Sequence, residues 1–315
     1  MDYMSASRRP ARVAILLATC NGVPHLAEQL ASIAAQRHRD WTLYVSDDGS
    51  ADATGELVAD FAQRHDGARV HLGDGPCRGF VANYLSLTCR ADVEGDCFAF
   101  CDQDDIWEAD HLSRAVGWLA GVDAGVPALH CSRTRLIDAR GRVLGLSAPC
   151  PRPPSFANAL VQSLAGANTM VFNRAALELL RRAGPAVAAA SHDWWLYLLV
   201  TGANGRVRYD PEPTVRYRQH TDNAQGTNRG VRARARRCAE LLGGRMRGWN
   251  DAHCAALDAL GDALAPEHRA RLARFRRLRA QRGLAALRAF REAGLYRQKG
   301  IDNVALMLAA ALGRL

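Results

Sequence analysis

The sequence predicts an α/β protein: a mostly parallel sheet flanked by helices, followed by a C-terminal helical extension. Three observations carry this. Apolar runs of strand length alternate four times with helix-period segments between residues 13 and 101. Each run stops at a short polar cluster. The charge changes character near residue 228, beyond which helical patterns dominate. Repeated strand–helix alternation indicates a parallel sheet whose ligands bind past the carboxyl ends of its strands.

The elements follow in order. Val13 to Ala18 is a buried strand, and Pro24 to Gln36 a helix with Leu26, Leu30 and Ile33 on one face. Trp41 to Ser46 is the second strand and Asp52 to Arg64 the second helix. Arg69 to Leu72 and Gly79 to Cys89 give the third pair, and Asp96 to Cys101 the fourth strand. Asp110 to Gly121 is then helical, Leu129 to Thr134 strand-like, and Pro149 to Pro154 a proline-rich loop. Thr169 to Phe172 is a strand, Arg174 to Ala183 a helix, and His192 to Thr201 an apolar helix. Val207 to Tyr209 and Thr214 to Tyr217 read as two short strands. Helices follow from Arg232, including an Arg-rich stretch over Pro266 to Ala293 and a last one over Ile301 to Leu312. The expected division is residues 1–227 as a catalytic domain and 228–315 as a basic helical region.

Composition narrows the classes. With 48% hydrophobic and 23% charged residues in 315, the chain has the makeup of a folded globular protein. No apolar run reaches the roughly 18 residues of a bilayer span, and no secretory leader is recognisable, so the expected location is cytoplasmic. Nine scattered cysteines without a Cys-x-x-Cys pair read as reduced thiols, not a disulfide framework or zinc site. Residues 228–315 hold nineteen Arg and Lys against seven Asp and Glu, net +12, whereas the preceding 227 residues net −3. A basic tail on a near-neutral body fits an anionic membrane surface or an acidic partner better than a nucleic-acid groove.

The chemistry-bearing residues sit at strand ends. Phe98-Ala99-Phe100-Cys101 is an apolar strand that ends in Asp102-Gln103-Asp104-Asp105. Carboxylates are rarely buried unpaired, so three of them there either face solvent or share a cation. Thr19-Cys20-Asn21-Gly22 follows the first strand and Asp47-Asp48-Gly49-Ser50 the second. Taken alone, Asp-Asp-Gly-Ser is an ordinary turn with capping residues. A parallel sheet, however, brings all three clusters to one rim.

This succession resembles the nucleotide-sugar-binding half of family 2 glycosyltransferases, which have the Rossmann-like GT-A fold. Ser191-His192-Asp193-Trp194-Trp195 and Tyr217-Arg218-Gln219-His220-Thr221-Asp222-Asn223 resemble the rhamnosyltransferase-like branch, and the likeness runs from about Arg12 to Gly226. The resemblance implies Asp104 and His220 as metal ligands, Asp102 at ribose or metal, and Asp47 accepting the imide N–H of uracil or thymine. Thr19, Asn21 and Gln103 would line the same pocket, with Arg78 and Asn83 near nucleotide or phosphates. The implied cofactor is Mn2+ or Mg2+, Mn2+ being better suited to an imidazole ligand. The implied partners are a dTDP- or UDP-sugar and a saccharide or lipid-linked acceptor, with no nucleic acid.

Asp193 matches the family's general base, the carboxylate that takes the acceptor's proton in inverting transfer; its bland reading is a helix-dipole partner. Arg218 could pair with phosphate, Asn168 could shape the acceptor pocket, and Trp194 and Trp195 could stack on a sugar or fill core. Arg232, Arg234, Arg236, Arg237, Arg245 and Arg247 could hold the protein to anionic lipid or form a solvated helix face. Two other classes compete. A sugar-nucleotide nucleotidyltransferase also presents carboxylates to a metal, but the loop after the first strand lacks the glycine-rich phosphate cradle. A nucleic-acid-binding protein could use the basic tail, but the aromatic-basic interleaving is missing.

Overall fold

The computed structural model describes residues 9–219 and 243–315. Its first half is the predicted alternation: β1 (Val13–Thr19), α1 (Leu26–Ala34), β2 (Trp41–Asp47), α2 (Thr54–Arg64), β3 (Val70–Asp74), α3 (Phe80–Cys89) and β4 (Cys97–Asp102). Then come β5 (Ile106–Trp107), α4 (His111–Leu119), β6 (Ala128–Asp138), β7 (Val143–Leu146), α5 (Phe156–Ala159), β8 (Val171–Asn173), α6 (Arg174–Ala183), α7 (His192–Gly202) and β9 (Arg206–Gln219). Helices Arg245–Ala259, Pro266–Arg279, Gly283–Ala293 and Gly300–Ala311 complete the described chain.

One nine-stranded sheet runs in the order β3-β2-β1-β4-β8-β6-β9-β5, with β7 hydrogen-bonded to β6. β1 to β4 are mutually parallel, so their carboxyl ends share a side. Register fixes what meets there: Thr19 lies opposite Asp47, Ala18 opposite Asp102, and Asp47 opposite Asp74. β1 is a continuous apolar run because both its faces are covered. Val13, Ile15 and Leu17 join a core with α1, α2 and α4, while Ala14 and Leu16 join the core on the other face. Each such aliphatic side chain contributes roughly 1.5–3 kcal/mol on burial.

The far half departs from the expected segmentation in ways the sequence explains. Val207 to Tyr209 and Thr214 to Tyr217 are parts of one strand, β9. Pro211 and Pro213 sit within it, where its pairing with β6 shifts register between Ser132 and Thr134, so their missing N–H groups fall at an irregularity. The expected strand from Thr169 begins two residues later, after a 3-10 turn at Ala167–Thr169. The Arg-rich stretch from Pro266 is two helices parted by residues 280–282, the second opening at Gly283, whose φ of +56° lies in the left-handed region.

The C-terminal helices do not stand apart from the sheet. Leu257, Leu264, Leu272, Phe275 and Leu278 share one buried cluster with Phe156, Trp194 and Trp195. Gly202, at the end of α7, is where the layers come closest. A Cβ there would lie 2.5 Å from Leu264 Cδ2, and the Gly202 carbonyl accepts the Ala265 N–H at 2.9 Å.

Candidate active site

The rim at the ends of β1, β2 and β4 is stitched together by its own polar residues. Gln103 is the clamp. Its Oε1 accepts the Thr19 hydroxyl at 2.6 Å and the Cys20 N–H at 2.9 Å, and its Nε2 donates to the Cys20 carbonyl at 3.1 Å. Gly22 is required beneath it, since a Cβ would come within 2.8 Å of Thr19 Oγ1 and 2.9 Å of Gln103 Oε1. Asn21 takes a φ of +50° and accepts the Ala51 N–H at 2.9 Å, while its own N–H donates to Ser50 Oγ at 2.8 Å. Asp47 Oδ1 accepts the Ser50 N–H and hydroxyl at 3.2 and 2.6 Å, leaving Oδ2 without a hydrogen-bond partner among the described residues.

Asp48 works on the next loop. Its two oxygens accept the N–H groups of Cys77 (2.6 Å) and Gly79 (2.8 Å), folding residues 75–79 under the rim so that Arg78 projects, exposed, at the start of α3. Asn83 was expected at the nucleotide. It is buried instead, its carboxamide bridging the Ser46 hydroxyl (2.5 Å) and carbonyl (2.9 Å), so it ties α3 to β2.

The acidic loop is the electrostatic centre. Tyr84 Oη lies 2.7 Å from Asp102 Oδ1 and 2.6 Å from the Cys101 carbonyl, fixing the carboxylate at the end of β4. Burial first, then the charges of Asp104 and Asp193, push Asp102 up to about 7 against the pull of the Tyr84 hydrogen bond. Asp105 is fully buried and held above the ordinary carboxylate range by desolvation and by Asp104 and Asp102. The Asn168 amide and the Arg218 N–H, at 2.5 and 3.0 Å, oppose that rise. Mutually repelling carboxylates in a low-dielectric cleft are a donor set that a hard divalent cation satisfies. Among the described residues no three His, Cys, Asp or Glu side chains already converge as a metal cage. His220 lies outside the described residues.

Asp193 occupies the first turn of α7, next to the Ser191 cap. Its carboxyl is buried and raised above the usual aspartate value by desolvation, with hydrogen bonds from Ser191, the Trp194 N–H and Ser163 (3.2 Å to Oδ2) pulling the other way. His192, beside Asp193, stacks on Tyr84 at 3.9 Å, and the Tyr84 hydroxyl holds Asp102, so the start of α7 lies next to the end of β4.

Four residues offered as ligand contacts are scaffold. Arg218 is 1% exposed, and its guanidinium donates to the carbonyls of Asp104 (2.8 Å) and Ala139 (3.0 Å) and to Glu28. It shapes the acidic loop instead of reaching for phosphate. Trp194 and Trp195 are core: Trp194 Nε1 donates to the Ala159 carbonyl at 2.6 Å, and both rings pack against His253. Asn168 is buried and holds Asp105. Tyr84 and Ser163, which the sequence did not single out, touch Asp102 and Asp193 directly; Tyr84 carried no signal beyond its core-facing helix position.

A parallel β3-β2-β1-β4 sheet with this rim, an acidic loop after β4 and a helix-borne carboxylate beyond it make up a GT-A-like fold. Residues 14–134 match the model of glycosyl transferase family 2. The dTDP-rhamnosyl transferase RfbG of Shigella flexneri is 27% identical over 70% of this chain and 77% of its own length. Among solved structures, TarS 1–349 of S. aureus superposes with a TM-score of 0.56 at 13% identity, covering 96% of this chain and 88% of that one. The mannosyltransferase PcManGT of Pyrobaculum calidifontis, in complex with GDP-Man and Mn2+, gives 0.50 at 19% identity over 98% and 86%. The match to glycosyl transferase family 2 thus lies on the strands and loops that build the rim.

Proposed function

We propose that this enzyme transfers a hexose with inversion, L-rhamnose in the first instance, from a thymidine-diphosphate donor to a saccharide or lipid-linked oligosaccharide. The observation that carries it is the Tyr84 ring between His192 at the start of α7 and Asp102 at the end of β4, which sets the buried Asp193 beside the acidic loop. Rhamnose rests on the likeness to a dTDP-rhamnosyl transferase. Asp47 Oδ2 accepts the imide N–H of the base, with Thr19, Asn21 and Gln103 holding the loop around it and Arg78 reaching the donor from the next loop. Asp102 and Asp104 would hold a divalent cation, Mn2+ or Mg2+, with His220 as a further ligand. The cation, when bound, stabilises the negative charge on the departing diphosphate.

Asp193 accepts the proton of the acceptor hydroxyl as that oxygen attacks the anomeric carbon from the face opposite the diphosphate. Its desolvation raises its basicity toward the working pH, and Ser163 and Ser191 orient it. Residues 1–227 carry the catalysis, and residues 228–315 form a second region whose described helices, from Arg245 on, back α7. A lipid-linked acceptor would bring the enzyme to the inner face of the cytoplasmic membrane as a peripheral protein.

A panel of nucleotide sugars with and without Mn2+ tests this by thermal shift, because a ligand that binds only the folded state raises the melting temperature. dTDP-rhamnose should give the largest Mn2+-dependent rise. A larger one with a guanosine donor would overturn the base assignment at Asp47.

A further inference from the structure

Helix Gly300–Ala311 and its cap leave an apolar stripe uncovered. Ile301, Val304, Leu308 and Leu312 are 57%, 53%, 51% and 58% exposed, and steps of three and four residues align them along one side. The opposite side is core, with Leu306, Ala309 and Ala310 buried. Leu284, 75% exposed, stands on the helix packed beside it. Single exposed leucines are ordinary; a row in helical register is not.

The rim of this stripe is cationic. The exposed Arg247 donates from Nη1 to the Gly313 carbonyl at 3.1 Å, which fixes its guanidinium at the helix end, while Arg279, 11% exposed and paired with Asp251, only ties down the Leu315 carbonyl. Arg282 passes close to Gly313, where a Cβ would lie 3.0 Å from its Nε. Arg282, Arg288, Arg291 and Arg314 are exposed. Residues 243–315 carry fourteen Arg and Lys against six Asp and Glu, and Asp302 is the only acid on the striped helix.

Aliphatic side chains bordered by guanidinium groups complement an anionic bilayer surface: acyl chains receive the first and headgroup phosphates the second. A second copy on the same face would oppose one cationic rim to another, which disfavours it. We propose that helix Gly300–Ala311 lies flat on an anionic membrane, with Ile301, Val304, Leu308 and Leu312 among the acyl chains and the arginines at the headgroups. This deepens the lipid-linked-acceptor reading and rests on it for its purpose. Vesicle binding is scored without donor or turnover, so the two fail separately.

The test mixes the full chain with vesicles of phosphatidylcholine alone or enriched in phosphatidylglycerol, and sediments them. The wild type should bind the anionic vesicles at least about tenfold more, with the difference shrinking in high salt. Replacing Ile301, Val304, Leu308 and Leu312 together by serine should abolish most of that binding at an unchanged melting temperature, the positions being exposed. Arg282→Glu with Arg314→Glu should remove the preference for anionic lipid. Absence of binding, equal binding by the serine variant, or a wild-type dimer that the serine variant dissolves would each overturn the proposal.

Discussion

The rim built on β1 to β4 and the half built on β5 to β9 with α7 hold their polar groups by different means. On the donor rim the partners are loop neighbours across adjacent strands: Asp47 with Ser50, Asn21 with Ala51, Gln103 with Thr19. In the other half they join separate packed elements and most are buried: Asp105 with Asn168 and Arg218, Arg218 with Glu28, Trp194 with Ala159. The difference teaches that the first surface is set by short loops on a rigid sheet, and the second by how layers pack. Damage to the second should therefore show as lost stability as often as lost chemistry.

The largest expected effect belongs to Asp193. Asp193→Asn should lower kcat by about 10²–10⁴, the usual contribution of a general base, while donor affinity by calorimetry stays within twofold or so. In the wild type, kcat should fall as pH drops through the raised Asp193 pKa, because only the ionised carboxylate accepts a proton. Near-normal turnover in the variant would remove Asp193 from the mechanism.

Arg218→Met sharpens the contrast from the other side. It strips the part-buried carbonyl of Asp104 of its donor, at roughly 1–3 kcal/mol, while the carbonyl of the exposed Ala139 can turn to water. The urea midpoint should drop accordingly, and donor affinity should fall with it because the acidic loop loses its support. Lost affinity at unchanged stability would return Arg218 to a direct phosphate contact.

The smallest effect is a slope. Burial lowers His111 and His192 to about 3 and His130 and His253 to about 4, and it lowers His268 as well; all five lie beyond the donor strands. Their folded pKa values lie below the unfolded value near 6.5, so the unfolded chain binds more protons between roughly pH 6.5 and 4. Stability should therefore fall on acidification, by up to about 1.4 kcal/mol per histidine per pH unit. His192, stacked on Tyr84 at 3.9 Å with both ring nitrogens unpartnered, is the cleanest probe. His192→Phe should flatten the dependence of the urea midpoint between pH 7 and 5 by about one group's share. An unchanged slope would show that His192 is not a source of the acid sensitivity.

The donor half was legible in the sequence because each of its strands is an apolar run ended by a polar loop, and parallel register converts those loops into one surface. Thr19, Asp47 and Asp102 came together for that reason. The far half was less legible. β5 has two residues and no period to read, β7 is an exposed hairpin strand, and β9 crosses two prolines that looked like a break. Arg218 looked like a ligand-binding cation because nothing local reveals that Glu28, 190 positions earlier, and the Asp104 carbonyl enclose it. Trp194 and Trp195 looked available because their cover, around His253, is supplied by the C-terminal helices.

That cover bears on how such chains can be recombined. Gly202 admits Leu264 only because it has no side chain, and Trp195 rests on His253, so α7 and the helices beyond residue 243 are fitted to each other atom by atom. A donor half grafted from a relative meets the rest of the protein along strands, where backbone hydrogen bonds tolerate exchange. A tail grafted without its own α7 would meet a surface cut for a different one, so the helix bearing the base and the tail behind it should be inherited as a unit.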